Sequence, residues 1–256
     1  MSQTTHSAMG ILLENLGIQT RSHVIAGVLI VLAFEISILG LAAAQAFVEQ
    51  RLALSPWILL SIVWIVWSGW HSWLFPRNRL RYLKKYSHPY RQAFVVDVHP
   101  WVSLGFSQMW RPLINGENLN AIMSRRPLVS SSAPSLAVGL SLCVTALLVI
   151  IYAIRTIGIH NAAFLREFVE PETFAPIRAG IYNRVMHPLF WSGILYSVGL
   201  GIAVGRRSAL IVAGLNCLYG LAYNQLENRR LGRIFGAAYH SYISEIPNFI
   251  PKLRRY

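Results

Sequence analysis

The sequence predicts an all-α fold, a multi-pass integral membrane bundle of five to six transmembrane helices with a C-terminal helical hairpin. Two observations carry this prediction. Hydrophobic residues make up 54% of the chain and charged residues only 13%, about half the charged share of an ordinary soluble domain. The apolar residues also gather into long runs, several close to the ~20 residues that a helix needs to cross a bilayer.

Residues 1–23 are mixed and short, and predict no more than an interfacial amphipathic turn. The run 24–47 is the first span. It begins too late and runs too long for a cleavable signal peptide, so it is expected to be retained. Glu35 inside it is costly in lipid and reads either as a functional group or as one buried against a polar group of another helix. A brief loop with Glu49 and Arg51 leads to the second span, 56–75. The stretch 76–132 is polar except for 94–110, an apolar run with Asp97, His99 and Pro100 inside it. Arg125-Arg126-Pro127 and Ser130-Ser131-Ser132 then read as a loop feeding the span 134–157. They mark the best internal boundary, between an N-terminal transmembrane region with a basic loop (1–133) and a membrane core (134–256). The runs 188–204 and 208–223 are separated only by Gly205-Arg206-Arg207 and must form a helical hairpin. Cys143 and Cys217 lie inside apolar runs without a second cysteine nearby, and read as small buried side chains. One Asp97-x-His99 pair is too little for a metal site, so none is expected.

The net charge of +13 fits lysines and arginines gathered in cytoplasmic loops. No nucleic-acid-binding motif accompanies them, and nucleic acid is not an expected partner. The open ends of the hairpin, the His187 loop and the C-terminal tail, must share one side. Arg229, Arg230, Arg233, Lys252, Arg254 and Arg255 in the tail make that side cytoplasmic, and the cluster Arg77, Arg79, Arg81, Lys84, Lys85 and Arg91 belongs there too. Both placements hold only if 94–110 is itself a crossing, which gives six.

The informative chemistry lies between Arg155 and Pro251. Arg155-Thr156-Ile157-Gly158 comes first, then Gly180-Ile181-Tyr182-Asn183-Arg184-Val185-Met186-His187-Pro188-Leu189-Phe190. After the hairpin come Glu227, Leu231, Phe235-Gly236, Tyr239, Tyr242, Pro247 and Pro251. This order resembles the isoprenylcysteine carboxyl methyltransferase and phospholipid methyltransferase superfamily of integral membrane enzymes, over roughly the last hundred residues. The family shows Arg-x-x-Gly, a Gly-x-Tyr loop running into Arg-His-Pro, a two-helix hairpin, then Glu-Glu, Leu, Phe-Gly, Tyr and Tyr. The resemblance implies S-adenosyl-L-methionine as cofactor and a cytoplasmic site. It also implies a lipid, lipid-linked or small hydrophobic methyl acceptor that enters sideways from the bilayer. This sequence departs from the pattern at Met186, where the family has Arg; at Asn228, where it has a second Glu; at Ser192, where it has Gly; and at Phe190, where it has Tyr.

S-adenosylmethionine presents a carboxylate, an ammonium, a ribose, an adenine and a sulfonium. Its site wants N–H or cationic donors, an acid, and an apolar slot. His187 and Pro188 open a helix, where N–H groups favour anions. Tyr182, Arg184 and Phe190 share that motif. Tyr223, Asn224 and Glu227 fall on one helix face at the other end of the hairpin, and Phe235, Tyr239 and Tyr242 are candidate aromatic walls for a sulfonium. Arg184, Arg229 and Arg230 are the candidates to replace the charge missing at Met186. No residue stands out as a catalytic base. Plainer readings stand beside these: His187 as a helix cap, Glu227 paired with Arg230 one turn on, Arg184 as a boundary charge, and Tyr239 and Tyr242 as interfacial belt residues. Gly199-Leu200-Gly201 looks like the start of a dinucleotide fingerprint, but inside a span Gly201 and Gly205 more simply permit close helix packing. Two other functions remain open: a membrane sterol-reductase-like oxidoreductase using NADPH, and a non-catalytic member of the methyltransferase family.

Overall fold

A computed structural model of the chain describes residues 8–20, 22–169 and 176–248. Lys252, Arg254, Arg255 and Pro251 of the tail lie outside the described residues. Among the described residues, nine helices organise the fold: α1 (Ala8–Asn15), α2 (His23–Arg51), α3 (Pro56–Lys85), α4 (His99–Trp110), α5 (Gly116–Met123), α6 (Ala133–Ile157), α7 (Pro188–Val204), α8 (Arg207–Phe235) and α9 (Ala237–Glu245). Short helical segments lie among the described connecting residues. α2, α3, α6 and α8 are each long and apolar enough to cross a membrane, and α7 is a shorter apolar helix.

Each start and stop has a local cause. The Ser22 hydroxyl accepts the Ile25 N–H ahead of α2, and Ser132 accepts that of Ser135 ahead of α6, satisfying N–H groups a helix start leaves open. Pro56 and Pro188 sit at first-turn positions that need no N–H. α6 stops at Gly158, whose φ of +77° is open to glycine and costly for other residues.

Two prolines lie further along helical segments, and each follows a stretch of wider π-helix. Pro76 comes after Trp70–Leu74 within α3, and Pro100 after Phe94–Val98 ahead of α4. A proline ring clashes with the carbonyl four residues earlier and leaves it without its N–H; a π turn relieves both at once. The turn in α3 has a consequence for the interior. Trp70 and His71, neighbours in sequence, are each 1% exposed.

Side-chain pairs fix how the helices run. α3 and α8 are parallel, because Trp64 meets Asn216 and His71 meets Tyr223. α2 and α4 are parallel as well, with Ser37 against His99, Gln45 against Gln108 and Glu49 against Arg111. α7 runs against α6 and α8, with Cys143 against Tyr196 and Asn216 against Ser197. Tyr90 and Arg79 reach the carbonyls of Ala163 and Glu167, while Ser130 and Arg206 reach Val204 and Leu128. The segment 94–110 therefore passes from the open end of the bundle, where the His187 loop lies, to the hairpin end. The Arg77–Lys85 part of the basic cluster is the continuation of α3 beyond its apolar run, at the same open end as His187. Residues 8–15, expected as an interfacial turn, instead form a helix that buries Leu12 and Leu13.

The outer surface is apolar. On α2 alone, Val24, Ile25, Val28, Leu29, Leu32 and Ile36 are half or more exposed, which suits a lipid solvent and would be unfavourable in water. Glu35 faces outward on the same helix. The interior joins both parts of the chain: Leu60, Trp64 and Trp70 share one core cluster with Ile194, Val212 and Tyr223.

α6 and α7 meet through glycines. A Cβ at Gly139 would lie 2.5 Å from the Ala203 nitrogen and 2.6 Å from the Gly199 oxygen, both backbone atoms that cannot turn aside. Small residues in membrane helices permit this approach. Gly201 does the same against Ala213 on α8, whereas Gly205, at φ +70°, serves the hairpin turn itself. Gly139→Leu is expected to force α6 and α7 apart and destabilise the protein by about 2–4 kcal/mol. Gly214→Leu, where an added Cβ meets nothing within 4 Å, is expected to change the melting temperature in detergent little. Equal melting temperatures for the two variants would contradict this packing.

Candidate active site

At the open end, a cavity of about 260 Å³ lies between the end of α6, the His187 loop, the last turns of α8 and α9. Its wall is largely apolar and aromatic: Ile157, Phe164, Leu189, Leu231, Ile234, Phe235 and Tyr239 contribute. The polar lining is Asn161, Glu167, His187, Glu227 and Arg230, with Tyr182 and Tyr242 at one side.

His187 takes the left-handed conformation, φ 54° and ψ 46°, immediately before Pro188. Proline disfavours the right-handed helical region for the residue before it, and a histidine at positive φ is uncommon. The carbonyl of His187 accepts the N–H groups of Phe190 and Trp191, so the backbone caps α7 and the side chain is left for the site. Its Nε2 lies 2.7 Å from Asn228 Oδ1, which also accepts the Tyr239 hydroxyl at 2.6 Å. A carbonyl oxygen only accepts, so His187 Nε2 carries a proton. Burial lowers the His187 pKa below its ordinary 6.5, although Glu227 and the bond to Asn228 pull it upward. Burial also raises the tyrosine hydroxyls, Tyr182 and Tyr239 well up and Tyr242 to about 12, so all three keep their protons at neutral pH.

The acidic side of the cavity is a chain of ion pairs. Glu227 accepts from Arg230 Nε at 3.1 Å and Nη2 at 3.3 Å. Arg230 Nη1 turns to Glu167, 2.9 and 3.1 Å from its two oxygens. Glu227 Oε2 also lies 3.1 Å from His71 Nδ1, and the Tyr223 hydroxyl is 3.1 Å from the same nitrogen. Two carboxylates against one guanidinium leave the lining with one surplus negative charge. Asn161 gives its N–H to the Ile157 carbonyl and keeps Oδ1 buried without a partner.

The nine residues singled out from sequence divide in two. Tyr182, His187, Glu227 and Tyr239 line the one cavity. The other five lie around it. Pro188 is buried in the first turn of α7. Arg184 is exposed at the end of the turn Gly180–Asn183. Phe190 packs on Trp64, Trp191 and Tyr223. Tyr223 is buried against His71, and Asn224 donates to Asn248. Of the three arginines considered as replacements at Met186, Arg230 lines the cavity, and Arg184 and Arg229 are exposed. Met186 itself is 5% exposed in a small apolar cluster with Tyr239, Tyr242 and Ile246. Glu227 does pair with Arg230, and it lines the cavity as well.

Sequence reasoning missed His71, Asn161, Phe164 and Glu167. One signal existed for His71, an ionisable side chain inside an apolar run, where such groups are functional candidates by default. For the other three no local signal was present, because their role comes from where the connection after α6 folds back.

Residues 134–238, less than half of the chain, match the family model described as Phospholipid methyltransferase. No curated protein and no solved structure matches the chain. The matched segment spans α6, the His187 loop, α7 and α8, and with them most of the cavity lining. Residues 134–238 are thus similar to the phospholipid methyltransferases, which are part of the isoprenylcysteine carboxyl and phospholipid methyltransferase superfamily of integral membrane enzymes.

Proposed function

We propose that the protein transfers a methyl group from S-adenosyl-L-methionine to a lipid or lipid-linked acceptor, at a site facing the cytoplasm. The observation that carries this reading is the charge and shape of the cavity: aromatic and apolar walls with one surplus carboxylate charge. Such a lining favours a cation with flat apolar parts. The ligand's N–H groups find acceptors at Glu227 and Glu167, while His187 and Tyr239, fixed by Asn228, line the same cavity. Asn228 supplies there the acceptor oxygen of the family's second glutamate without adding a third carboxylate beside a single arginine.

When bound, S-adenosylmethionine supplies an electrophilic methyl on a sulfonium. What the chain contributes is alignment and the exclusion of water, which an in-line displacement needs more than it needs a strong acid or base. A carboxylate or thiolate acceptor requires no proton to be removed. The acceptor's route is supported by Ile234, which lines the cavity and is also 37% exposed on the outer surface of α8. The cytoplasmic assignment is supported by the basic residues of α3, Arg77 to Lys85, lying at the same end as the cavity.

NADPH fits this lining less well. Its phosphates want several free cations, and among the described residues Arg230 is the arginine in the lining, already held by two carboxylates. Calorimetry on detergent-solubilised protein is expected to give heat with S-adenosylmethionine or S-adenosylhomocysteine and none with NADPH. Glu227→Gln should weaken the former by about ten- to a hundredfold, as for a lost charged hydrogen bond. Heat with NADPH alone would overturn the reading.

The pH dependence follows from His187. Its folded pKa is depressed, so the unfolded chain binds the proton more readily than the folded one. The stability it contributes is complete above the ordinary value of 6.5 and is lost as pH falls below it, through the depressed folded value. The melting temperature should hold from about pH 8 to 7 and decline below about pH 6. His187→Gln should make that acid slope shallower. An unchanged slope would show that the imidazole is not the titrating group.

A further inference from the structure

His71 lies on α3, outside the matched segment, yet it touches the centre of the ion-pair chain. Its side chain is enclosed by the rings of Trp67, Trp70, Phe75, Phe164 and Tyr223. Nδ1 faces Glu227 Oε2 and the Tyr223 hydroxyl, each at 3.1 Å. Nε2 is buried with no hydrogen-bond partner. A phenylalanine would fill such an aromatic box without the orphaned Nε2, so packing alone does not account for an imidazole here. A carboxylate only accepts, so the proton belongs on Nδ1. A second proton on Nε2 would leave an N–H without an acceptor, which is worse than a lone pair left alone.

We infer that His71 is a positioning residue for the cofactor site, contributed by the N-terminal half of the chain. Its Nδ1–H and Arg230 Nε together hold Glu227 Oε2. That leaves Oε1, which accepts Arg230 Nη2 at the longer distance of 3.3 Å, as the oxygen available to a cationic ligand. The π turn before Pro76 is what brings this imidazole inward beside Trp70. The inference rests on the proposed function for the identity of the ligand, but the hold of His71 on Glu227 does not.

The test uses full-length protein with His71→Asn, His71→Gln and His71→Phe. An asparagine amide places its N–H near the position of Nδ1–H, and a glutamine amide places it near Nε2. Two readouts are taken: S-adenosylhomocysteine binding by calorimetry, and the ligand-free nitrogen NMR spectrum of the histidines in wild type and Glu227→Gln. H71N is expected to bind within about threefold of wild type, and H71Q and H71F to bind about ten- to a hundredfold more weakly. The His71 resonances should show the Nδ1–H tautomer and shift in Glu227→Gln. The inference is overturned if H71F folds and binds as wild type does, if H71Q matches H71N, or if the tautomer is Nε2–H. A wild type that binds no S-adenosylhomocysteine would defeat the proposed function, and the spectra would still decide whether His71 holds Glu227. They decide it equally if a variant fails to fold.

Discussion

The bundle depends on one amide. Asn216 on α8 is fully buried and bonds three other helices at once. Its Oδ1 accepts the Trp64 indole of α3 at 2.7 Å, and its Nδ2 donates to the Gln108 carbonyl of α4 at 2.7 Å and to Ser197 of α7 at 2.8 Å. Gln108 then joins Gln45 of α2. In lipid, apolar surface gives helices little reason to associate, so geometry must come from close packing and from polar groups that have no other partner. Asn216 sets the depth at which α3, α4 and α7 stand against α8. Everything nearer the open end inherits that register, including the placement of His71 one turn past Trp67 and opposite Tyr223.

A second polar knot closes the hairpin end. The Glu49 carboxylate bonds the Arg111 guanidinium and the Gly116 N–H, all buried. Removing either partner of such a pair leaves a charge without water or counterion. The two knots hold α2 and α4 in parallel between them. Asn216 uses its oxygen and both amide hydrogens, whereas Asn161 Oδ1 and His71 Nε2, near the cavity, have no partner. Saturation is a property of Asn216 itself: Gln108 Oε1 and Arg111 Nε, in the same two knots, lack a hydrogen-bond partner as well.

Much of the fold was legible in the chain. The run 188–204 coincides with α7, and 134–157 with α6 to within a residue. Their boundaries are written in Pro188, Ser132, Gly158 and Gly205, which act locally. The runs 56–75 and 208–223 fell short of α3 and α8 because both helices continue into charged residues, where hydropathy no longer tracks helicity but nothing breaks the helix. The segment 94–110 was ambiguous for a related reason. Asp97 is expensive in lipid, and only the folded protein shows that Trp70 and Asn78 donate to it.

For the site, the motif from Gly180 to Phe190 and Glu227 led to the cavity, because a helix start and a helix end joined by a tight turn must lie on the same side. The sequence by itself determined the helical membrane class, the hairpin, the order of its motifs and the end of the bundle where they gather, since periodic hydrophobicity, proline and glycine act through near neighbours. The tertiary structure alone decided which polar groups meet. Glu167 reaches Arg230, His71 reaches Glu227 across 156 positions (227 − 71), and Met186 is drawn into an apolar cluster instead of the cavity. Those pairings depend on the parallel register of α3 and α8. That register is set by the burial of Asn216 among groups from distant parts of the chain, which no local pattern encodes.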